Sequence, residues 1–399
     1  MNATAVNTTS RLDAAIQLRY PQLLATAHAC LAVCGAMALA GREKPLSLIL
    51  EQHSGYGKTT TLVWLFPTAD TEKYFYRSDN FTPKAFVSHA ANTAKALDEI
   101  DMLPRIRNKV LVTKELAPIF RGRKEELEKN FSMLITVLDG LGYVSDTGMQ
   151  GQRGYAERHV FNWLGATTPV PRDTHRMMSQ LGTRLLFWEM PLVQPTELEL
   201  LAYAARDDKR VNDDECRRLT GELMADFFAR HPVGSVKPDS IRFPGGLLSD
   251  LVRWSQLLVR GRAPVHYEDD SGWKPVAAGV PEGPWKVVDY FKELARGHAL
   301  IEDRDEVTAG DLELVGHTAL SSMPGHLRPI LRELRLAGAV STKRCSTVCV
   351  PPVSQPTARN YLQELALLGI GNLSKGSPAT SAPDTLKLAP DFRWLHTGP

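Results

Sequence analysis

An α/β fold is predicted by three observations. PLSLILEQ (45–52), an apolar run of strand length, passes through the glycine-containing turn HSGYG into KTTTLVWLF, which continues at helical spacing to Pro67. Further apolar runs of strand length recur downstream, each leaving into polar residues. From Thr196 the chain turns helical and charged, and it closes on two amphipathic helices. The expected organisation is an N-terminal helical segment (1–44), an α/β core (45–195), a helical region (196–320) and a C-terminal module (321–399).

Composition sets the outer bounds. The 399 residues, 43% hydrophobic and 23% charged, have ordinary globular composition, and a net charge of +2 leaves any basic surface local. Five scattered cysteines without a secretory leader fit a reducing cytoplasm, the expected localisation. Cys345-x-x-x-Cys349 has no second Cys or His pair at zinc spacing, so no zinc site is expected there. The alanine-rich stretch 25–41 is the most apolar. It contains His28 and runs almost directly into the first strand, so a buried helix is expected and no membrane contact.

The turn EQHSGYGKTT matches G-x-x-x-x-G-K-[ST] in Gly57, Lys58 and Thr59, with Gln52 where the leading glycine belongs. Gly55 and Gly57 give the backbone freedom that close approach to phosphate needs. Ser54, Gly55, Tyr56, Gly57, Lys58, Thr59 and Thr60 are the expected ATP cradle. Lys58 would reach the β and γ phosphates, and Thr59 would hold Mg²⁺. The plain alternative is a glycine turn with an exposed lysine.

A nucleotide-hydrolysing core also needs a strand that delivers an acid to metal and water. KVLVTKELAPIF (109–120) is the candidate, with Glu115 its only carboxylate and Lys114 where an aspartate is expected. The alternative is a core strand with a polar exit. RHVFNWLGATTP (158–169) reads as a further strand with a polar end, and SQLGTRLLFWEM (179–190) leads Arg184 into another. An arginine at a strand start can reach a neighbouring subunit's nucleotide and stabilise developing phosphate charge.

This order of motifs resembles the AAA+ ATPases. GATTP ahead of LGTRLLF resembles the minichromosome-maintenance-like helicase branch. The Lys114-Glu115 pair followed by LITVLDG (134–140) resembles AAA+ proteins of bacterial mobile elements and phages. The resemblance covers about residues 45–320 and implies an AAA+ P-loop NTPase core with ATP and Mg²⁺ as cofactors, Mg²⁺ held by Thr59 and Glu115. It further implies Thr168 at the sensor position, Arg184 as an arginine finger in trans, and a homo-oligomer, hexameric in the family. GYVSDTGMQGQRGYAERHV reads as a hairpin. In the resembled branch such a hairpin touches DNA, which would give Arg153, with Gln150 and Gln152, phosphate contacts; a surface hairpin is the alternative. The lid's second sensing cation would be Lys286 or Arg296.

In the lid, Glu268–Trp285 reads as a loop, and Thr308 as a helix cap ahead of Asp311. HLRPILRELRLAGAV puts Leu327, Ile330, Leu331 and Leu334 on one face and ends at Gly338. SQPTARNYLQELALLGI starts at Ser354 as cap and buries Ala358, Tyr361, Leu362, Leu365 and Leu368. Its outer face carries Thr357, Arg359, Asn360 and Gln363. With the strand TLKLAP and the loop bearing Lys375, this reads as a winged helix whose Arg359, Asn360, Gln363 and Lys375 contact DNA. Such modules also dock proteins. The functional expectation is an oligomeric ATPase coupling hydrolysis to DNA translocation or unwinding. The alternative is an ATP-dependent switch or accessory factor with little hydrolysis, recruiting DNA or a protein partner. A metabolic P-loop kinase would have no use for the terminal module.

Overall fold

Leu46–Glu51 forms β1, and all six residues are buried, as in a strand covered on both faces. The computed structural model describes residues 8–88, 97–147, 151–180, 182–206, 208–268, 274–376 and 382–397. Its next strands are β2 (Phe75–Arg77), β3 (Val110–Thr113), β4 (Tyr143–Thr147), β5 (Gly151–Tyr155), β6 (Asn162–Thr167) and β7 (Leu186–Glu189). Five of them make one sheet, order β2-β3-β6-β1-β7, with every pairing parallel. The order reverses at β1, which lies between β6 and β7 while the chain leaves it for the far edge. In open parallel sheets the carboxyl ends of strands at such a reversal collect ligands.

The chain divides into two compact units. The first comprises Met1–Pro169, Arg184–Leu248 and Lys292–Val315. In it α1 (Thr8–Arg19) and α2 (Leu24–Gly35) lie ahead of the sheet. The stretch Pro21–Ala38 is long and apolar enough to cross a bilayer, yet 72% of it is buried inside the protein. Trp188 Nε1 donates to Thr26 Oγ1 at 3.1 Å, and Asn162 Nδ2 donates to the Val33 carbonyl at 2.5 Å, so the helix is bonded to two strands of the sheet. β4 and β5 pair antiparallel as the expected hairpin; Gln150 lies outside the described residues.

The second unit comprises Val170–Thr183, Ser249–Phe291 and Gly316–Pro399. Here the segment expected as a loop contains β9 (Pro275–Ala278), which pairs antiparallel with β8 (Val265–Tyr267). Proline and glycine read as loop punctuation, but Pro275 stands at the strand's first position, where proline is tolerated. Further on, the helix Arg328–Ala337 buries Leu327, Ile330, Leu331 and Leu334 completely and ends at Gly338 with φ 69°. The helix Gln355–Leu367 starts from Ser354, whose side chain accepts from the Thr357 N–H. Ala358, Leu362, Leu365 and Leu368 are buried as expected, and Tyr361 is half-buried. The order is helix, β10 (Ala339–Ser341), helix Thr342–Val348, helix Gln355–Leu367, β11 (Gly371–Ser374), β12 (Thr385–Leu388). The three strands form an antiparallel sheet ordered β10-β12-β11.

Candidate functional site

The loop after β1 turns through two left-handed glycines, Gly55 at φ 89° and Gly57 at φ 86°. Gly57 is the residue ahead of α3 (Lys58–Trp64). A Cβ there would fall 2.8 Å from Leu23 Cδ2, so backbone and space both call for glycine. Gln52 has its own employment. Its Nε2 donates to the Met190 carbonyl at 2.6 Å and its Oε1 accepts from the His53 N–H at 2.9 Å. The side chain that departs from the motif therefore ties the exit of β1 to the exit of β7.

Lys58 is nearly buried, and its ammonium turns back to donate to the carbonyls of Gln52 at 2.5 Å and His53 at 2.7 Å. Burial lowers its pKa, and the fields of Glu115 and Glu51 oppose that shift. Glu51 is 3% exposed at the end of β1. Sequence reading passed over it, although a carboxylate closing an apolar strand just before such a loop was a visible signal. Ser54, Gly55 and Thr59 are exposed, and Tyr56, Gly57 and Thr60 are half-buried.

Glu115 leaves β3 exposed, its Oε1 accepting from the Ala117 N–H at 2.8 Å. Lys114 is not aimed at that carboxylate. It pairs with Asp79 Oδ2 at 2.8 Å, and Arg77 bonds both Asp79 oxygens at 2.7 Å. The Arg77 bonds first, then Lys114, hold the Asp79 carboxyl below its ordinary range. The charge of Lys114 is thus met by an acid from the neighbouring strand's exit, which sequence reading did not identify. Thr168 follows β6, beside the loop: the Gln52 N–H donates to the Thr167 carbonyl at 3.3 Å. Thr168 Oγ1 is buried and has no hydrogen-bond partner among the described residues.

Arg184 lies elsewhere. β7 pairs with β1 from Leu48↔Leu186, so Arg184 stands level with Leu46, at the amino end of β1. Six residues of strand, about 20 Å, separate that level from Gln52. Its Nη2 donates to Asp139 Oδ2 at 3.1 Å.

The residues expected to touch DNA fall in both units and are partly committed to other contacts. Arg153 is turned inward, 16% exposed at its side chain, with Nη2 donating to the Ser88 carbonyl at 2.7 Å and Asp101 at 4.0 Å. Gln363 Nε2 donates to the Pro275 carbonyl at 3.0 Å, under the β8–β9 hairpin. Arg359 is 62% exposed at its side chain and pairs through Nε with Asp384 at 2.6 Å, and that acid also accepts from the Gly376 N–H at 2.8 Å. Lys375 is exposed and Asn360 half-buried. Arg296 Nε donates to the Ile241 carbonyl at 3.2 Å.

No protein-family model and no curated protein matches the chain. Among solved structures, that of a candidate ATPase from Cytophaga hutchinsonii is similar over 78% of this chain and 87% of its own, at 11% identity and a TM-score of 0.38. A likeness of that size carries no argument about this chain. The chain's own features carry the coarse assignment: a five-stranded parallel sheet, with a glycine loop and a buried lysine at the exit of β1, fits a P-loop-NTPase-like core.

Proposed function

We propose that this chain is an ATP-dependent ATPase of the AAA+ type that works as a homo-oligomer, hexameric in the resembled family, on DNA. The observation that carries the reading is Lys58, a buried ammonium held by two neutral carbonyls at the exit of the central strand. Phosphate oxygens offer it stronger, charge-assisted bonds than those carbonyls do. Ser54 through Thr60 would wrap the phosphates, with Gly55 and Gly57 permitting close backbone approach. Thr59 and Glu115 would be the donors for Mg²⁺, an oxygen pair of the kind that metal prefers. When bound, Mg²⁺ supplies positive charge to the transferring phosphoryl group.

Thr168 would complete the same cradle, since its buried hydroxyl has no partner among the described residues. Glu115 would orient the attacking water. Arg184, about 20 Å along the sheet from its own loop, would act on the nucleotide of an adjacent subunit. The arrangement of β10 to β12 with their three helices supports a winged helix. Its exposed Arg359 and Lys375 would contact a phosphate backbone. Hydrolysis would then be coupled to DNA translocation or unwinding.

A second reading is an ATP-dependent switch with little turnover, in which the terminal module recruits DNA or a protein. It is favoured by the exit of β3, where Glu115 is the only carboxylate and Lys114 is held by Asp79. ATP hydrolysis, measured with and without single- and double-stranded DNA beside Lys58→Ala, separates the two. DNA-stimulated turnover absent from the variant supports the motor. Lysine-dependent ATP binding and assembly with negligible turnover supports the switch, and no lysine-dependent nucleotide binding removes both.

A further inference from the structure

Within the first unit, α2 and the stretch Lys292–Ile301 of a later helix approach so closely that no side chain fits between their backbones. A Cβ on Gly35, the last residue of α2, would lie 2.3 Å from the Gly297 carbonyl oxygen. One on Gly297, in the helix Trp285–Ile301, would lie 2.2 Å from the Ala32 carbonyl oxygen. The approach sets two histidines against each other. His28 Nδ1 is 3.1 Å from His298 Nε2, and Glu302 Oε1 is 3.5 Å from the same His28 nitrogen. All three atoms lie within 4.8 Å of one another.

The outer nitrogens are equally defined. His28 Nε2 is 2.9 Å from Asp13 Oδ1, and His298 Nδ1 is 2.5 Å from Asp311 Oδ1. Asp311 is itself fixed by both Arg304 Nη groups, at 2.7 and 2.8 Å, and by the Thr308 N–H at 2.7 Å. An ionised carboxylate only accepts, so each ring donates its proton outward. Where both rings are neutral, their inner nitrogens aim bare lone pairs at each other. Glu302 Oε1, buried and without a hydrogen-bond partner among the described residues, adds a negative charge to the same space. Three electron-rich atoms converge on one point, and a cation there would satisfy all of them.

We propose that His28, His298 and Glu302 form a divalent-cation site fitted to Zn²⁺. Tetrahedral ligand atoms about 2.0–2.2 Å from zinc are about 3.3–3.6 Å apart, and the spacings of 3.1 and 3.5 Å bracket the lower end of that range. Two imidazoles with one carboxylate suit zinc, whereas Mg²⁺ and Ca²⁺ take oxygen donors. The carboxylate behind each histidine is the habitual outer partner of a zinc-bound imidazole. Three protein donors leave a fourth position for water. The ion would pin α2, and through Asp13 also α1, to a helix 270 residues further on. This inference stands apart from the nucleotide reading.

The test uses the full chain, stripped with a chelator and titrated with Zn²⁺ against a chromophoric competitor. The expected result is one ion per chain and a rise in melting temperature on addition. Glu302→Gln should weaken binding about 100-fold or more, and Asp13→Asn by about 10-fold to 100-fold. Those two side chains are 27% and 30% exposed, so both variants should fold even where His298→Gln does not. Co²⁺ in place of Zn²⁺ should give visible bands of a four-coordinate site in the native chain and lose them in Glu302→Gln. Absence of stoichiometric binding by the native chain, as when the two rings share a proton instead, overturns the proposal. So does equal affinity in folded Glu302→Gln.

Discussion

Arg184 donates to Asp139 at 3.1 Å across the gap between the strand it introduces and the end of the helix Lys124–Leu138. Asp139 caps the carboxyl end of that helix, where a negative charge is disfavoured, so the pairing gives the acid a counter-ion. The same pairing parks the arginine at the end of the sheet remote from its own glycine loop. Arg184→Ala should therefore leave ATP affinity within about twofold and lower turnover about 10³-fold. Mixing Arg184→Ala with Lys58→Ala subunits should restore part of the activity, because some shared sites then hold both residues. Unchanged turnover in the single variant removes the finger role. An inactive mixture of properly assembled subunits removes its action in trans.

Gln52→Gly would restore the usual motif and lose two bonds. Removing the amide that reaches Met190 and His53 should destabilise the protein by about 1–3 kcal/mol, with the added chain entropy of glycine contributing to the loss. Denaturant midpoints at constant slope measure this. A midpoint equal to or above the native one would show that the clamp contributes nothing.

Thr168→Val keeps the shape and deletes a hydroxyl that bonds nothing among the described residues. Stability should stay within about 0.5 kcal/mol or rise. Turnover should fall about tenfold or more if the hydroxyl meets phosphate or water. Equal loss of stability and turnover would point to a packing role instead.

His175 gives a pH signature to the second unit. Burial first, then the nearby Arg328 and Arg262, lower its pKa well below the ordinary 6.5, so the folded protein holds it neutral. Below pH 6.5 the unfolded chain takes up a proton that the folded chain refuses, and stability falls as pH falls. The slope from this group approaches about 1.4 kcal/mol per pH unit. Unfolding at a series of pH values from about 7.5 to about 5 should show that slope, and His175→Gln should flatten it. The same slope in both proteins would assign the effect elsewhere.

Much of the sheet was legible because buried parallel strands are continuous apolar runs that end in polar residues. β1, β3, β6 and β7 all have that form. β2 does not: it is three residues long, and only Phe75 is buried. β9 was hidden by the proline and glycine around it. The loop could be read from Gly57 and Lys58, but the reason for Gln52 could not, since Met190 is 138 residues away. Asp79 as the partner of Lys114 was hidden for the same cause. The His28–His298 contact spans 270 residues, so no spacing rule could have paired them.

Asn162 opens β6 with both polar atoms of its side chain occupied: its Oδ1 accepts from the Leu46 N–H at 3.1 Å while its Nδ2 serves Val33. Together with the bond from Trp188 to Thr26, this makes the residues ahead of β1 part of the sheet's own hydrogen bonding. Trimming the protein to start at the first strand, a common choice when a nucleotide-binding core is prepared for crystallography, would strip solvent protection from one flank of that sheet. Two buried donors would be orphaned in the same cut, and insoluble aggregates rather than a minimal ATPase are the product to expect.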